Sequence, residues 1–325
     1  MRFGYTLMTE QAGPRELVRH SREAERAGFD FEVMSDHFSP WLAEQGHSPY
    51  AWSVLGAVSE VTERAELMSF VTCPTMRYHP AVVAQRAATV SLLSGNRFTL
   101  GLGAGENLNE HVVGRGWPPA NVRHEMLSEA VQIIGDLFDG GYVNHVGTHY
   151  RVDSAKLWDL PERRTPVAVA VSGRQSVARF APVADALIAV EPDDELCRAW
   201  DAERAELGQE ASRKIAQLPV CWDPDRDAAI RRAHEQFRWF GGGWKVNAEL
   251  PGPTGFDAAT KFVTEAEVAD NIPCGPDPGP IVESAKAFAA AGFTDLAFVQ
   301  IGGEHQDGFF EFAERTLLPA LREAA

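Results

Sequence analysis

FDFEVMSDHFSPW, residues 29–41, is the stretch from which the rest of the chain can be read. Phe29 to Met34 is a short apolar run of the kind that makes a buried strand. Before it, Pro14 to Ala27 carries Leu17, Ala24 and Ala27 at helical spacing, and Gly28 supplies a stop. After it the apolar run breaks into Ser35, Asp36 and His37, with an indole at Trp41. A core strand that ends in a carboxylate and an imidazole poses a structural and a chemical question together.

The strand-then-helix unit recurs in both directions. Arg2 to Leu7 is a strand ahead of the helix 14–27, and Pro49 to Thr62 is the helix that follows residues 29–34. LMSFVT (67–72) is a third strand before a helix at Pro80 to Leu93. RFTLGLGAG (97–105) is a fourth, followed by a loop with Gly114, Gly116, Pro118 and Pro119 and a helix from Arg123 to Phe138. GGYVNHVGTHYRV (140–152) reads as a hairpin around Gly147. Strands resume at 166–173, 184–192, 215–223 and 294–303, with helices at 175–184, 194–207, 226–238, 279–291 and 307–323. Eight strands, most followed by a helix, predict an α/β fold, a closed (β/α)8 TIM barrel ahead of an open doubly wound sheet. The expectation is one barrel domain over 1–325, with the Gly- and Pro-rich segment at about 239–278 an insertion near the barrel mouth.

Composition bounds the partners. Hydrophobic residues make up 45% and charged residues 23%, an ordinary globular balance. A net charge of −16 argues against nucleic acid and anionic membranes, both of which need Lys and Arg to neutralise phosphates. No segment nears the ~18 apolar residues of a membrane span, and the N-terminal MRFGYTLMTEQAGP has no long apolar region, so a cytoplasmic protein is expected. Cys73, Cys197, Cys221 and Cys274 are scattered without a CxxC pair and read as buried free thiols.

Active sites of (β/α)8 barrels lie at the C-terminal ends of the strands. The residues there are Glu10 beyond strand 1, Asp36 and His37 after strand 2, Thr72 and Cys73 after strand 3, and Glu106 and Asn109 after strand 4. Ser172, Gly173 and Arg174 follow strand 5, Glu191 follows strand 6, and Gly302 to His305 follow strand 8. Any one of these could serve as a cap or a satisfied structural residue. Convergence of His37, Glu106 and Glu10 on one rim forms an acid–base set. The glycines of LGAGENLNE (102–110) and VSGRQSVAR (171–179) allow close approach of a ligand to the backbone. With no HxH or HExxH pairing, no metal is assigned, and a metal hydrolase or a ligand-binding barrel without turnover ranks below a redox enzyme.

SDHF (35–38) with Trp41, CPTMRYHPAVVAQ (73–85), NRFTLGLGAGENLNE (96–110) and VSGRQSVARFA (171–181) resemble the luciferase-like flavin and deazaflavin oxidoreductases. The similarity is to the branch containing the coenzyme F420-dependent glucose-6-phosphate dehydrogenase. It implies a (β/α)8 barrel, commonly a homodimer, that holds the deazaflavin F420 at the strand ends. It also implies hydride transfer between a sugar or alcohol carbon and F420, with an FMN-dependent monooxygenase or reductase as the alternative. Carried over, it gives Asp36 to the deazaflavin, His37 to the substrate hydroxyl, Trp41 and Glu10 to the substrate side, and Glu106 to a ring proton. Ala104, Gly105 and Asn109 would touch the cofactor, and Cys73 would stand where close relatives have Thr. A non-prolyl cis peptide would fall at Phe70-Val71, beside the ring. Ser172, Gly173, Ser176 and Val177 would hold the tail phosphate. Where sugar-phosphate relatives carry cations, this chain has Glu191 and Asn271, with Lys245 the remaining candidate. A small uncharged sugar or alcohol is therefore favoured over a 6-phosphate.

Overall fold

Parallel strands closing on themselves form the centre of the computed structural model, which describes residues 1–324. The chain opens with β1 (Arg2–Leu7), β2 (Phe31–Met34), β3 (Glu66–Ser69) and β4 (Phe98–Leu102). The antiparallel hairpin β5 (Val143–Val146) and β6 (Arg151–Ala155) stands apart from the sheet. β7 (Val167–Ala170), β8 (Ala186–Ile188), β9 (Arg213–Val220) and β10 (Asp295–Gln300) complete it. The order β1-β10-β9-β8-β7-β4-β3-β2 is a closed barrel, with Tyr5 in register with Phe298 on one side and Glu32 on the other. This is the (β/α)8 fold expected, with the hairpin outside it.

The punctuation that organised the sequence has physical counterparts. Pro14 opens the helix Pro14–Ala27, where its missing N–H costs nothing, and Gly28 closes it in the left-handed region at φ 99°. The N–H of Gly28 donates back to the carbonyls of Ala24 and Glu25, and β2 follows at once. β3 stops at Ser69, the Phe70-Val71 peptide is cis, and Thr72 returns to the sheet through a single bridge to Leu102. The last helix differs from the continuous one expected. It runs Gln306–Phe312, widens into a π turn at Ala313–Leu317, and resumes at Leu318–Ala324. Pro319 lacks the N–H of a regular turn and crowds the preceding carbonyls, so a wider turn accommodates it.

The barrel is filled rather than hollow. Phe31, Val33, Met68, Ala168, Ala186, Ile188, Ile215 and Ala297 pack inside it. Gly4 makes room for this filling, since a Cβ there would fall 2.5 Å from the Phe31 ring. Below Phe31 the N-terminal ends of the strands carry a ring of charges. Arg213 pairs with Glu66 and Asp295 at 2.7 Å each, and Arg2 reaches Glu66 at 3.1 Å. Both guanidinium groups lie over the Phe31 ring, at 5.6 and 6.0 Å from its centroid. Ligands therefore meet the barrel at the other end.

Residues 239–278 build short helices, Trp244–Asn247, Pro253–Thr260 and Glu265–Asn271, after a 3-10 turn at Arg238–Gly242. Their apolar residues, Trp239, Phe256, Val268 and Ile272, share one cluster with Met8, Trp41, Leu42 and Leu108 from the loops after β1, β2 and β4. The segment is thus packed on the strand-end side of the barrel. Among the described residues no helix is long and apolar enough to cross a membrane.

Candidate active site

A 3-10 turn at Thr9–Gln11, just past β1, points Glu10 toward the end of β2. Its carboxylate is 2% exposed and fully engaged. Oε2 accepts the hydroxyls of Ser35 at 2.5 Å and Thr9 at 3.0 Å, while Oε1 lies 3.2 Å from Nδ1 of His37. The carbonyl of Ser39 is the second neighbour of that nitrogen, at 3.3 Å. Both neighbours can only accept, so Nδ1 carries a proton, and in the neutral ring the lone pair lies on Nε2. Among the described residues Nε2 has no protein partner.

Trp41 packs against His37 with centroids 5.0 Å apart, and its other face stacks on Trp239 at 4.1 Å and 8°. Phe256 meets it edge-on at 5.1 Å. The indole is 5% exposed, so it is a packed wall behind the imidazole rather than an open surface. Trp239 and Phe256 were not singled out from the sequence, because their Gly- and Pro-rich surroundings follow neither helical nor strand period.

Asp36, expected at the deazaflavin, is held by protein donors. Its carboxylate is buried, and Oδ2 accepts from Trp52 Nε1 at 3.1 Å and Thr72 Oγ1 at 2.8 Å. Oδ1 accepts from Tyr78 Oη at 3.1 Å and Arg77 Nη2 at 3.2 Å. Four protein donors make it the hub that anchors the loop bearing His37. Arg77 extends the hub, donating Nη2 to the Asp36 carbonyl at 2.7 Å and pairing through Nε with Glu110 at 3.4 Å. Glu110 also accepts the Arg77 N–H at 2.7 Å. Burial pushes the Glu110 carboxyl up to about 7, against the pull of Arg77. Arg77, Tyr78 and Glu110 lie inside the quoted motifs yet were not picked out, since their partners are remote in sequence.

Asn109 is also bound into the protein. Its Oδ1 accepts the N–H groups of Phe38 at 2.8 Å and Ser39 at 3.3 Å, and Nδ2 donates one hydrogen to Glu106 Oε2 at 3.3 Å. It ties Glu106 to the His37 loop and keeps a second Nδ2 hydrogen for another acceptor. Glu106 is half-buried, and its Oε1 has no partner among the described residues. The Cys73 thiol is buried beside Thr75, and burial raises it well above the usual thiol range. It sits under Gly105, whose φ of 85° and lack of Cβ let the chain pass over the sulfur. That placement removes Cys73 from a ligand surface.

At the strand ends Phe70, Val71 and Ala170 are half-buried against the interior cluster and form an apolar floor, and Ala104, just past β4, is half-buried against the main core. A Cβ on Gly103 would stand 2.5 Å from Val71 Cγ2. At the start of the helix Arg174–Phe180, Ser176 Oγ accepts the N–H groups of Ser172 and Gly173 at 3.2 Å each and donates to the Gly173 carbonyl at 2.8 Å. Gly173 has open space around it, whereas the Val177 side chain is 1% exposed and belongs to the core, with its N–H donating to the Gly173 carbonyl at 3.0 Å.

The substrate candidates do not gather at His37. Glu191 and Lys245 are exposed, and among the described residues neither bonds to the His37 group. Asn271 donates Nδ2 to the Glu267 carbonyl at 2.7 Å, within its own helix. It lines a groove of about 190 Å³ with Phe237, Phe240 and Val263, and no strand-end residue borders that groove. Its expected place at the substrate is not found. Among the described residues no group of three or more His, Cys, Asp or Glu side chains is arranged to hold a metal ion.

Comparison with known proteins bears on this geometry. The family of luciferase-like monooxygenases matches residues 1–295. A protein of Segniliparus rotundus named F420-dependent glucose-6-phosphate dehydrogenase is 34% identical, with 99% of this chain and 98% of that protein covered. One of the same name from Microbacterium testaceum is 32% identical over the same shares. Among solved structures, an F420-dependent secondary alcohol dehydrogenase in complex with an F420–acetone adduct superposes with a TM-score of 0.89 at 25% identity, covering 99% of both chains. An F420-dependent tetrahydromethanopterin reductase from Methanopyrus kandleri shares the fold, with a TM-score of 0.79 at 19% identity and coverage of 98% and 99%.

Proposed function

Because this chain belongs to the luciferase-like monooxygenase family, we propose that it is an F420-dependent oxidoreductase of CH–OH groups whose substrate is an uncharged alcohol or sugar. The observation that carries this reading is the Glu10–His37 pair, which leaves an imidazole lone pair at the barrel mouth.

The residues present suit a tricyclic deazaflavin. Phe70, Val71 and Ala170 offer apolar contact at the strand ends, with Ala104 half-buried past β4, and Gly103 keeps clear the space that a methyl group would press into Val71. Ser172, Gly173 and Ser176 offer N–H and hydroxyl groups to a phosphate, with the Ser176 hydroxyl exchanging its present partners. When bound, F420 supplies a two-electron hydride acceptor or donor. His37 Nε2 takes the substrate hydroxyl proton as the carbon is oxidised, and returns it in the reverse direction. Glu10 Oε1 faces the imidazolium that this creates and stabilises it through Nδ1–H, a charge-assisted contact. Glu106 Oε1 holds or gives a proton at the cofactor side, with Asn109 fixing its distance from the His37 loop. Trp41, backed by Trp239, excludes water from one side of the imidazole.

The preference for an uncharged substrate rests on where the cations are. Arg77 is paired with Asp36 and Glu110, Arg232 with Asp223, Arg238 with Asp257, and Arg123 with Glu249. Glu191, Asp193 and Asp194 are exposed after β8, where they oppose a phosphate. The test is a panel of secondary alcohols, sugars and sugar phosphates followed by deazaflavin absorbance, beside fluorescence titrations with F420 and FMN. Binding of F420 and turnover of neutral alcohols or sugars is the expected result. Binding of FMN alone would overturn the cofactor assignment, and a tenfold preference for glucose 6-phosphate would overturn the substrate class.

A further inference from the structure

Two cysteines remote in sequence face each other at the edge of the mouth. Cys221 follows β9, and Cys274 lies where the 239–278 segment rejoins the barrel; the two are opposed in a one-residue parallel bridge. The Cys221 N–H donates to the Pro273 carbonyl, and the Gly275 N–H donates to the Cys221 carbonyl, both at 2.9 Å. Backbone bonds on either side of Cys274 therefore hold this register. Neighbouring strands lie ~4.8 Å apart, inside the ~4.4–6.8 Å Cα separation that a disulfide spans.

The two thiols differ in environment. Cys221 is fully buried in the cluster that holds Trp41, Trp239 and Ile272, while Cys274 is half-buried at its margin. Arg232 donates Nε to the Ile301 carbonyl at 3.2 Å, and the Cys221 thiol points at the same oxygen. Arg226 lies against Gly275, the neighbour of Cys274. The contact with Cys221, and then the two guanidinium groups, draw the Cys274 thiol below the usual range, whereas the same contact and burial push Cys221 up. The half-buried Cys274 sulfur is the one a small oxidant can reach, and the buried Cys221 sulfur stands behind it.

We propose that Cys274 and Cys221 are a peroxide-reactive pair, closing a reversible disulfide that fastens the 239–278 segment to the end of β9. The Cys274 thiolate attacks one peroxide oxygen, the O–O bond breaks, and a sulfenic acid forms with release of water. The Cys221 sulfur then attacks the Cys274 sulfur; an S–S bond forms, the S–O bond breaks, and the Cys221 proton leaves with the departing oxygen as a second water. Two thiols are oxidised by two electrons, and one peroxide is reduced to two waters. The bond closes across a single bridge, between residues that the backbone already holds opposite each other. Oxidation holds Trp239 and Phe256, which the segment carries, against Trp41.

The experiment uses the full chain without cofactor, treated with an equivalent of hydrogen peroxide and then unfolded for thiol titration and non-reducing peptide mass mapping. The four free thiols are expected to fall to two, with loss of two hydrogens, a cross-linked peptide pair containing Cys221 and Cys274, and reversal by dithiothreitol. Cys274→Ser is expected to keep its three thiols under the same dose. Cys221→Ser is expected to accumulate a dimedone-reactive sulfenic acid at Cys274. Four thiols persisting in the parent, over-oxidation of Cys274 with Cys221 untouched, or a cross-link through Cys73 or Cys197 would each overturn the proposal.

Discussion

Glu10→Gln keeps the size of the side chain and removes the charge that faces His37. The hydroxyls of Ser35 and Thr9 both point at one oxygen, so they hold the amide oxygen of the variant in that place. The amide nitrogen is then left facing His37 Nδ1 across a contact of 3.2 Å in the parent. Two donors cannot share that contact, so the ring proton moves to Nε2 and the lone pair proposed to act on the substrate is lost. The charge-assisted bond alone is worth ~1.5–3 kcal/mol, which is ~10–150-fold in rate. Removing a general base adds to this, and such bases contribute ~10²–10⁴-fold. A fall in kcat of about 10²–10⁴-fold is expected, with little change in KM for F420. Glu10→Ala, which imposes no donor on Nδ1, should retain more activity than Glu10→Gln. The assay is kcat with the best alcohol of the panel, paired with ¹⁵N NMR of the His37 ring to read its tautomer. A Glu10→Gln enzyme within threefold of the parent, with the proton still on Nδ1, would refute the reasoning.

Glu32 is buried between β2 and the helix Pro14–Ala27, where Ser21 Oγ donates to it at 2.5 Å and burial raises its pKa to about 8. With the folded value above the unfolded one, its contribution is complete below the unfolded carboxyl pKa. It is lost as pH rises through about 8, by up to ~1.4 kcal/mol per pH unit. Glu32→Gln should flatten that slope, so its melting temperature gains on the parent between pH 5 and pH 8; parallel melting curves would contradict this. Gly103→Ala forces a methyl group to within 2.5 Å of Val71 Cγ2 and disturbs the floor, and should weaken F420 binding at least tenfold in fluorescence titration. Unchanged affinity would remove the floor from the cofactor assignment.

The barrel was legible because its two periods alternate cleanly and the glycines and prolines fall at the joints. Even β8, three residues long at Ala186–Ile188, stands out within ADALIAVEP as an apolar run between turns. The identities of the mouth residues were also legible, but their hydrogen-bond partners were not. Asp36 looked available because a carboxylate after a core strand has no local partner; its donors Trp52, Thr72, Arg77 and Tyr78 arrive from other segments of the chain. The bonds of Asn109 to Phe38 and Ser39 were hidden for the same reason, since they bridge two barrel loops. Val177 lies on a helix too short to reveal its buried face by period. Trp239 and Phe256 take their place from packing onto Trp41, a tertiary contact without a local signature.

The ring of Arg2, Arg213, Glu66 and Asp295 beneath Phe31 closes one end of a filled barrel and leaves the strand C-terminal end as its one open face. The Phe70–Val71 floor packs on the interior cluster, while His37 and Trp41 stand outward beside the 239–278 segment. A molecule on that floor and one at His37 would then share one entrance, so changes to the 239–278 segment are expected to alter the access of both.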